Sequence, residues 1–299
     1  MTEPLSPQAE RPPIRPLTTG EVQALLDGRE EALADLREEM TANFARGPGA
    51  ILLRGIDPDI FGEGRFASAL ARIGGWLGSL AIQSLQGERV ARVERKPGDP
   101  TARGTYSDTE LRPHTDLHDI LALACHRAAA SGGESLLISA RDFYAAVRNE
   151  APDLLAVLLR PYVWGGNPAL QSANRPRPRL PILFPPEAAH GAQVAYNGYF
   201  LRRGGEAATD VLARFDALAQ RLADPTLFNL KPGDMLFWHN WGWLHGRMPF
   251  VDREDRPRLL FRLWIRSVIA PRADPALVEL GRRMDEDHKI TSQWEKTSP

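Results

Sequence analysis

Residues 230–240 read LKPGDMLFWHN, a Pro-Gly-Asp turn followed by a short apolar run. Similar apolar runs, separated by turn residues, recur from about residue 83 onward. They are LALACHRAA (121–129), SLLISA (135–140), AVLLRPYVW (156–164), QVAYNGY (193–199) and RLLFRLWIRSVI (258–269). Strands of this length with Gly and Pro between them favour a β-sandwich or barrel over repeated βαβ units. The central part of the chain is therefore predicted to be mainly β.

Helical patterns flank and interrupt these runs. We expect helices over EVQALLDGREEALADLREEMTANFA (21–45), RFASALARIGGWLGSL (65–80), DFYAAVRNEAP (142–152), EAATDVLARFDALAQRLAD (206–224) and DPALVELGRRMDEDH (274–288). Between the first two helices, ILLRGI (51–56) is typical of a buried strand. The proline-rich stretch at 174–191 predicts a long irregular loop, a class of segment that often covers a binding site.

The chain shows no repeat or low-complexity tract that divides it. Residues 1–17 carry five prolines and predict a flexible arm. We interpret residues 18–299 as one domain: a helical part at about 18–82, a β-core at about 83–270 and a C-terminal helix at about 274–288.

Composition narrows the class of protein. A hydrophobic fraction of 43% and a charged fraction of 25% are ordinary for a globular protein. The formal net charge of −1 argues against nucleic acid or an anionic membrane as a partner, because both favour a basic surface. A single cysteine excludes an internal disulfide, and we find neither a signal peptide nor a membrane span. We expect a cytoplasmic protein with a small-molecule partner, and a homo-oligomer is left open.

The stretch RPHTDLHD (112–119) carries an imidazole and a carboxylate two residues apart. On an extended segment His114 and Asp116 point to the same side, so both can bind one ion. A second histidine, His245, lies far along the chain but can return to the same place in a closed β-structure. Two imidazoles and one carboxylate on one face of a metal form the ligand set of non-haem Fe(II) oxygenases.

Two arginines interrupt the apolar run RPRLLFR (256–262). Arg258 and Arg262 are separated by an even number of residues, so on a strand both face the same way. A buried arginine is costly unless it meets an anion, and its planar fork suits a carboxylate.

The ordered set HTD (114–116), GGES (132–135), LKPGDMLFWHN (230–240), HGR (245–247) and RPRLLFR (256–262) resembles the taurine dioxygenase family of Fe(II)- and 2-oxoglutarate-dependent oxygenases, in the clavaminate synthase-like group. The similarity runs from about residue 105 to 268. It implies a double-stranded β-helix, or jelly roll, at the core of a mainly β protein with flanking helices.

The resemblance also implies roles for individual residues. His114, Asp116 and His245 are the expected iron ligands and catalytic centre. Arg258 is expected to pair with the distal carboxylate of the co-substrate 2-oxoglutarate, and Ser135 to offer it a hydroxyl. Arg262 matches a position that in some relatives reaches an anionic group of the substrate.

The implied reaction uses Fe(II), O2 and 2-oxoglutarate, releases succinate and CO2, and oxidises a C–H bond of a small molecule such as an amino acid or a natural-product intermediate. Because related halogenases lack the carboxylate ligand, Asp116 favours hydroxylation, desaturation or cyclisation. Two alternatives stay open here. One is a non-catalytic, metal-containing jelly roll that binds a ligand, since fold alone does not establish chemistry. The other, weaker alternative is metal-assisted hydrolysis.

Several further residues have competing interpretations. Substrate contacts are expected from Tyr106, Ser107, Tyr196, Asn197 and Tyr199, with Arg262. Asn240 and Trp241 are further pocket candidates. His239 could be mistaken for the distal ligand, but HGR and the arginine run follow His245 instead. We interpret His118 as an outer or surface residue, Arg247 as a structural ion pair, Cys125 as a buried apolar residue, and Trp238, Trp241, Trp243 and Trp264 as core filling.

Overall fold

The computed structural model describes residues 11–84, 86–98, 104–165, 177–187, 191–267, 269 and 273–295. Its helices are α1 Thr19–Asp27, α2 Ala34–Arg46, α3 Pro58–Leu77, α4 Ala140–Glu150, α5 Pro152–Leu158, α6 Gly198–Gly204, α7 Thr209–Ala223 and α8 Pro275–Glu295. Its strands are β1 Ile14–Pro16, β2 Ala50–Arg54, β3 Gly78–Leu80, β4 Ala91–Val93, β5 Leu111–His114, β6 Ile120–Arg127, β7 Ser131–Gly132, β8 Ser135–Ser139, β9 Tyr162–Val163, β10 Arg179–Leu180, β11 Leu183–Phe184, β12 Gln193–Val194, β13 Met235–His239, β14 Trp243–Arg247, β15 Phe250–Val251 and β16 Leu259–Ser267.

Two sheets build the core. The major sheet runs in the order β1-β2-β13-β6-β16-β3, with β4 also paired to β16, and the minor sheet runs β5-β14-β8. Every pairing in them is antiparallel except that of β1 with β2. Strands β13 and β14 follow each other in the chain but lie in different sheets, so the chain crosses between the two layers at residues 240–242.

Successive side chains of a strand point to opposite faces of the sheet and so pack in two different hydrophobic layers. On β16, Leu259, Phe261, Leu263 and Ile265 pack under α1, α2 and α3, whereas Leu260 packs between the two sheets. Because successive residues of a strand face opposite sides, Arg258, Arg262 and Trp264 share the inner side with Leu260. A third apolar layer fills the space between the minor sheet and helices α4, α5, α7 and α8.

The strands predicted at ILLRGI, LALACHRAA, SLLISA, DMLFWHN and RLLFRLWIRSVI are β2, β6, β8, β13 and β16, and the predicted helices at 142–152, 206–224 and 274–288 are α4, α7 and α8. The helix predicted over 21–45 is wrong as a single element. It breaks after α1, where Gly28 takes a left-handed φ of 74°. The helix predicted over 65–80 begins earlier, at Pro58, and its last three residues form β3.

Two predicted strands are also wrong in part. In AVLLRPYVW the first residues belong to α5, which Pro152 begins, and only Tyr162–Val163 is extended. In QVAYNGY only Gln193–Val194 forms a strand, because Asn197 accepts from the backbone N–H of Tyr199 and so caps α6.

The predicted arm and loop fall only partly on described residues. Residues 1–10 lie outside them, whereas residues 14–16 form β1 beside β2. Of the predicted irregular loop at 174–191, residues 177–187 and 191 are described, and the prediction is wrong where the short strands β10 and β11 form. In the part of the chain that is described, none of the helices has the length and apolar character needed to cross a bilayer.

Candidate active site

Three side chains meet where β5 and β14 pair. His114, Asp116 and His245 each offer one ligand atom, and these three atoms lie within 4.8 Å of one another. The register of the minor sheet sets His245 directly opposite His114, with 4.2 Å between their ring centroids. The predicted ligand set is therefore one cluster, built from residues 131 positions apart in sequence.

The backbone around Asp116 is held from two sides. Asn240, on the crossing between the sheets, accepts from the backbone N–H of Asp116 at 2.9 Å and donates to its carbonyl at 2.9 Å. Thr115 exchanges backbone and side-chain hydrogen bonds with Tyr196. These bonds fix the segment after β5, on which the position of the carboxylate depends.

Hydrogen bonding and burial prepare the ligand side chains. The Nδ1–H of His114 donates to the carbonyl of Arg112 at 2.8 Å, which leaves Nε2 facing Asp116, 3.6 Å from Oδ1. Burial, together with the charges of His114 and Arg262, lowers the pKa of His245 to about 3. Burial by itself raises the pKa of Asp116, but His114, His245 and Arg262 outweigh it, so its pKa lies well below the usual range. At neutral pH the imidazole of His245 is therefore neutral and the carboxylate of Asp116 is ionised.

The chemistry of these donors fits Fe(II). Two imidazoles and one carboxylate form the facial set that non-haem iron oxygenases use, with positions left open for other ligands. His245 adds an observation of its own, since its buried Nδ1 has no hydrogen-bond partner among the described residues. An orphaned, polar, buried ring beside a carboxylate is consistent with a site built to hold a metal.

A cavity of about 700 Å³ opens onto the cluster. Its wall contains the three ligand residues together with Ser135, Arg258 and Arg262. The apolar part of the wall includes Val93, Leu121, Leu123, Trp238 and Leu260. The residues expected to bind iron, co-substrate and substrate anion therefore share one space.

Arg258 is a buried cation whose guanidinium forms no ion pair among the described residues, and the charge of Asp252 offsets its burial only in part. Only 6% of the residue is exposed, and burial lowers the pKa of its guanidinium. Its backbone N–H bonds to Asp252, but among the described residues its guanidinium forms neither an ion pair nor a hydrogen bond and lies over the ring of Phe250, 5.0 Å from the centroid. Such a group is costly to bury unless an anion binds to it.

Ser135 begins β8 and lies on the same cavity wall, 6% exposed. Its backbone bonds to Phe228 in both directions, so its hydroxyl is held in place by a rigid segment. A hydroxyl and a guanidinium on one wall can together bind a carboxylate.

Arg262 is positioned by Gln83, which sequence reasoning missed. Gln83 accepts from Nε of Arg262 at 2.8 Å and donates to its carbonyl at 2.6 Å. The guanidinium then lies 4.4 Å from the ring centroid of Trp264, with the rest of its fork on the cavity wall. Since Gln83 is 179 residues away in sequence, no local signal identifies it.

The residues predicted to contact substrate divide into two groups. Tyr196, Asn197 and Tyr199 line the cavity, although the hydroxyl of Tyr196 is already bonded to Asp216 at 2.5 Å. Tyr106 and Ser107 are not part of the cavity wall, and substrate contact by them stays a prediction. The mouth also includes Arg112, Arg202 and Asp216, which were not predicted.

Three competing interpretations can now be assessed. His239 lies on β13 in the major sheet and is not part of the ligand cluster. Arg247 was predicted to form a structural ion pair, but it forms none among the described residues. It donates instead to the carbonyls of Ser107 and Thr109, and burial with the charge of Arg258 lowers its pKa to about 10. His118 is buried rather than superficial, and its Nε2 lies 2.8 Å from Asp285.

Trp264 and Trp238 do more than fill the core. The indole N–H of Trp264 donates to Oδ2 of Asp116 at 2.8 Å. Trp238 lines the cavity, its ring 5.0 Å from that of His245. Trp241 and Trp243 are buried and lie outside the cavity wall, as a filling role predicts, so the pocket candidates Asn240 and Trp241 are not part of that wall.

Comparison with known proteins supports this assignment. Residues 13–264 match the model of the taurine catabolism dioxygenase TauD, TfdA family. The chain therefore belongs to this family, and the resemblance of its motifs is confirmed. Its class is that of the 2-oxoglutarate-dependent non-haem iron dioxygenases, with the jelly-roll core typical of the family. Family membership favours an enzyme over the non-catalytic alternative.

Individual relatives are more distant. FR-33289 synthase of Streptomyces rubellomurinus (strain ATCC 31215) is 27% identical over 239 residues, which are 73% of this chain and 69% of that protein. Uridine-5'-phosphate dioxygenase of a Streptomyces species is 28% identical over 196 residues, 58% of this chain and 67% of that protein. The structure of asparagine oxygenase with Fe(II), 2S,3S-3-hydroxyasparagine and succinate is similar with a TM-score of 0.68 and 20% identity, over 84% of this chain and 93% of that one.

Proposed function

We propose that this dioxygenase holds Fe(II) through His114, Asp116 and His245, binds 2-oxoglutarate through Arg258 and Ser135, and oxidises a C–H bond of an anionic small molecule. The observation that carries the proposal is the unpaired, buried Arg258 in the cavity that the three-ligand cluster faces. A metal site alone has no need of that cation, whereas a dicarboxylate co-substrate requires one.

Each group then has a defined task. The bound iron supplies oxidation by O2, coupled to conversion of 2-oxoglutarate into succinate and CO2. His245 enters as a neutral ligand and Asp116 as an anion, so neither has to lose a proton when the metal binds at neutral pH. Arg258 and Ser135 orient one end of the co-substrate. The apolar wall of Leu121, Leu123 and Trp238 excludes water from the reacting centre.

Charge supports an anionic substrate. The cavity wall contains five arginines, Arg112, Arg202, Arg247, Arg258 and Arg262, against two aspartates, Asp116 and Asp216. The iron and the co-substrate dianion leave this balance unchanged, because their charges offset each other. Arg262 remains as the inner cation for the substrate, with Asn197 and Tyr199 on the outer wall. Among relatives, one is named for uridine-5'-phosphate, an anion of this kind.

Amino acids and natural-product intermediates with a carboxylate, phosphate or phosphonate are therefore the first substrates to test. Hydroxylation, desaturation and cyclisation are the expected outcomes, since Asp116 occupies the position that halogenases keep free. We further propose that residues 18–299 act as one cytoplasmic domain on a small molecule, with no nucleic-acid partner. Self-association into a homo-oligomer is left open as part of the proposal.

The experiment measures succinate released from 2-oxoglutarate by iron-loaded protein in air, with a panel of such anions. We expect one class of anion to raise succinate formation well above the rate without substrate, and an oxidised product in equal amount. Arg262→Met is expected to raise the KM for that substrate and leave the KM for 2-oxoglutarate nearly unchanged. A protein that binds no 2-oxoglutarate in the presence of Fe(II) would contradict the proposal.

A further inference from the structure

Trp264 lies between the two parts of the site, the metal ligands and the substrate arginine. Its indole N–H donates to Oδ2 of Asp116 at 2.8 Å. The other carboxylate oxygen, Oδ1, lies 3.6 Å from Nε2 of His114 and so faces the other ligands. One oxygen of Asp116 is thus occupied by the tryptophan and the other is directed to the metal cluster.

The ring of Trp264 also contacts two charged or polar groups. The guanidinium of Arg262 lies over it, 4.4 Å from the centroid, in a cation–π geometry. The imidazole of His118 stacks on it at 4.9 Å with 15° between the planes. His118 is in turn bonded to Asp285 of α8, which also pairs with Arg266. The orientation of the indole is therefore determined by groups from three elements, the segment after β5, β16 and α8.

This arrangement exceeds what packing requires. A phenylalanine would fill most of the same space, but only an indole brings a donor to the carboxylate while it presents a face to the arginine. Partners that hydrogen-bond to a metal ligand set its orientation and tune its binding to the metal.

We propose that Trp264 is a positioning residue of the active site, which restricts Asp116 to binding iron through one oxygen and ties that ligand to the substrate arginine Arg262. The inference rests on the proposed function of the cluster as an iron site. A carboxylate held to one oxygen leaves more positions of the metal for 2-oxoglutarate and O2. Without the N–H of Trp264, the carboxylate of Asp116 would be free to rotate. Its bond to iron would then be weaker, and it could bind through both oxygens.

The test compares two variants at this position. Trp264→Phe keeps a ring but removes the donor, whereas Trp264→Gln loses the ring but retains an N–H donor. Anaerobic calorimetry with Fe(II) is expected to show affinity about 10–100-fold weaker in Trp264→Phe, the usual range for loss of such a partner, and partly recovered in Trp264→Gln. Trp243→Phe is the matched control, since the N–H of Trp243 donates to the carbonyl of Pro48 and its ring lies outside the cavity wall. It should bind Fe(II) like the wild type.

The outcomes separate a positioning role from a structural one. Unchanged Fe(II) affinity in Trp264→Phe would overturn the inference, as would equal losses in both variants that follow their melting temperatures. If the wild type itself bound no Fe(II), the proposed function would fail instead.

A second measurement does not depend on a variant that folds. A crystal structure of the wild type with Mn(II), an oxygen-stable substitute for Fe(II), should show Asp116 bound through one oxygen with the other accepting from Trp264. Binding through both oxygens would overturn the inference.

Discussion

Several ionisable side chains of the cavity lie where their charged forms destabilise the folded protein. Burial lowers the pKa of Arg258, Arg247 and His245, which means that each resists carrying a charge where it lies. For His245 the consequence is a neutral ring, which suits a metal ligand. Arg247 is compensated in part by the carbonyls of Ser107 and Thr109, whereas Arg258 is left to bind an anion. Ionisable groups with shifted pKa values that share one cavity are typical of functional sites.

Arg258→Met tests that cost in both directions. We expect affinity for 2-oxoglutarate to fall by about 100-fold or more, because a buried charge-assisted pair is lost. In the absence of ligands the variant should be more stable by about 1–4 kcal/mol, because an unpaired buried cation is replaced by an apolar chain. Anaerobic calorimetry and chemical unfolding measure the two effects.

Arg127→Met is the control, since Arg127 lies on the neighbouring strand β6, pairs with Glu63 and is outside the cavity wall. Its affinity for 2-oxoglutarate should be that of the wild type. An Arg258→Met protein that binds 2-oxoglutarate normally would remove Arg258 from the site.

Cys125 gives a prediction about pH. Burial raises the pKa of its thiol to about 12 from an ordinary value of 9.0, and the nearby charge of Arg258 offsets this only in part. The folded protein therefore keeps the proton while the unfolded chain releases it above about pH 9, so this residue makes the fold less stable as the solution becomes alkaline. At pH 8 a thiol-reactive dye should label the native protein very slowly and the unfolded protein at one thiol per chain. Rapid labelling of native protein would show that the side chain is accessible.

At the scale of elements, the Pro-Gly-Asp turn before β13 links two neighbouring strands of the major sheet, β2 and β13. Asp234, 1% exposed, accepts two hydrogen bonds from the guanidinium of Arg54 on β2, at 2.8 and 2.7 Å, and one from the backbone N–H of Lys231. Gly233 takes a φ of 92° there, and a Cβ on it would lie 1.9 Å from the carbonyl of Ile56. The sequence Pro-Gly-Asp predicts the turn, and the hydrogen bonds of Asp234 join it to β2.

Removing that aspartate should destabilise the sheet. Asp234→Ala leaves Arg54 without its partner and the turn without its bond, so we expect unfolding free energy to fall by about 3 kcal/mol. Asp255→Ala is the matched control, because Asp255 pairs with Arg253 in full solvent and should change stability by less than about 0.5 kcal/mol. Urea unfolding distinguishes them, and equal stabilities would show that the turn does not hold the sheet.

Elements with strong periodicity could be predicted from sequence, and elements decided by tertiary context could not. Strands β6, β8, β13 and β16 follow from long apolar runs with turns between them. The start of AVLLRPYVW is equally apolar, but Pro152 begins a helix there and the run packs as part of α5. A short apolar run does not distinguish a strand from a buried helical turn, and its neighbours in space decide.

At the scale of the whole molecule, the candidate ligands were predictable because each stands in a local motif, while their supports were not. Gln83, Asn240 and Trp264 reach the site across 179, 124 and 148 residues. No pattern along the chain marks an amide or an indole as the partner of a distant ligand. Only the return of β13, β14 and β16 to one place brings these side chains together.

Whether His114, Asp116 and His245 hold iron beside 2-oxoglutarate can be measured by anaerobic titration of metal-free protein with Fe(II) and 2-oxoglutarate, which follows the weak visible absorption of their chelate. It needs no substrate. We compare the wild type with His245→Ala and with His239→Ala, a buried histidine six residues earlier that lies on the other sheet. We expect a band in the wild type and in His239→Ala, and none in His245→Ala. A band that survives in His245→Ala, or is lost only in His239→Ala, would contradict it.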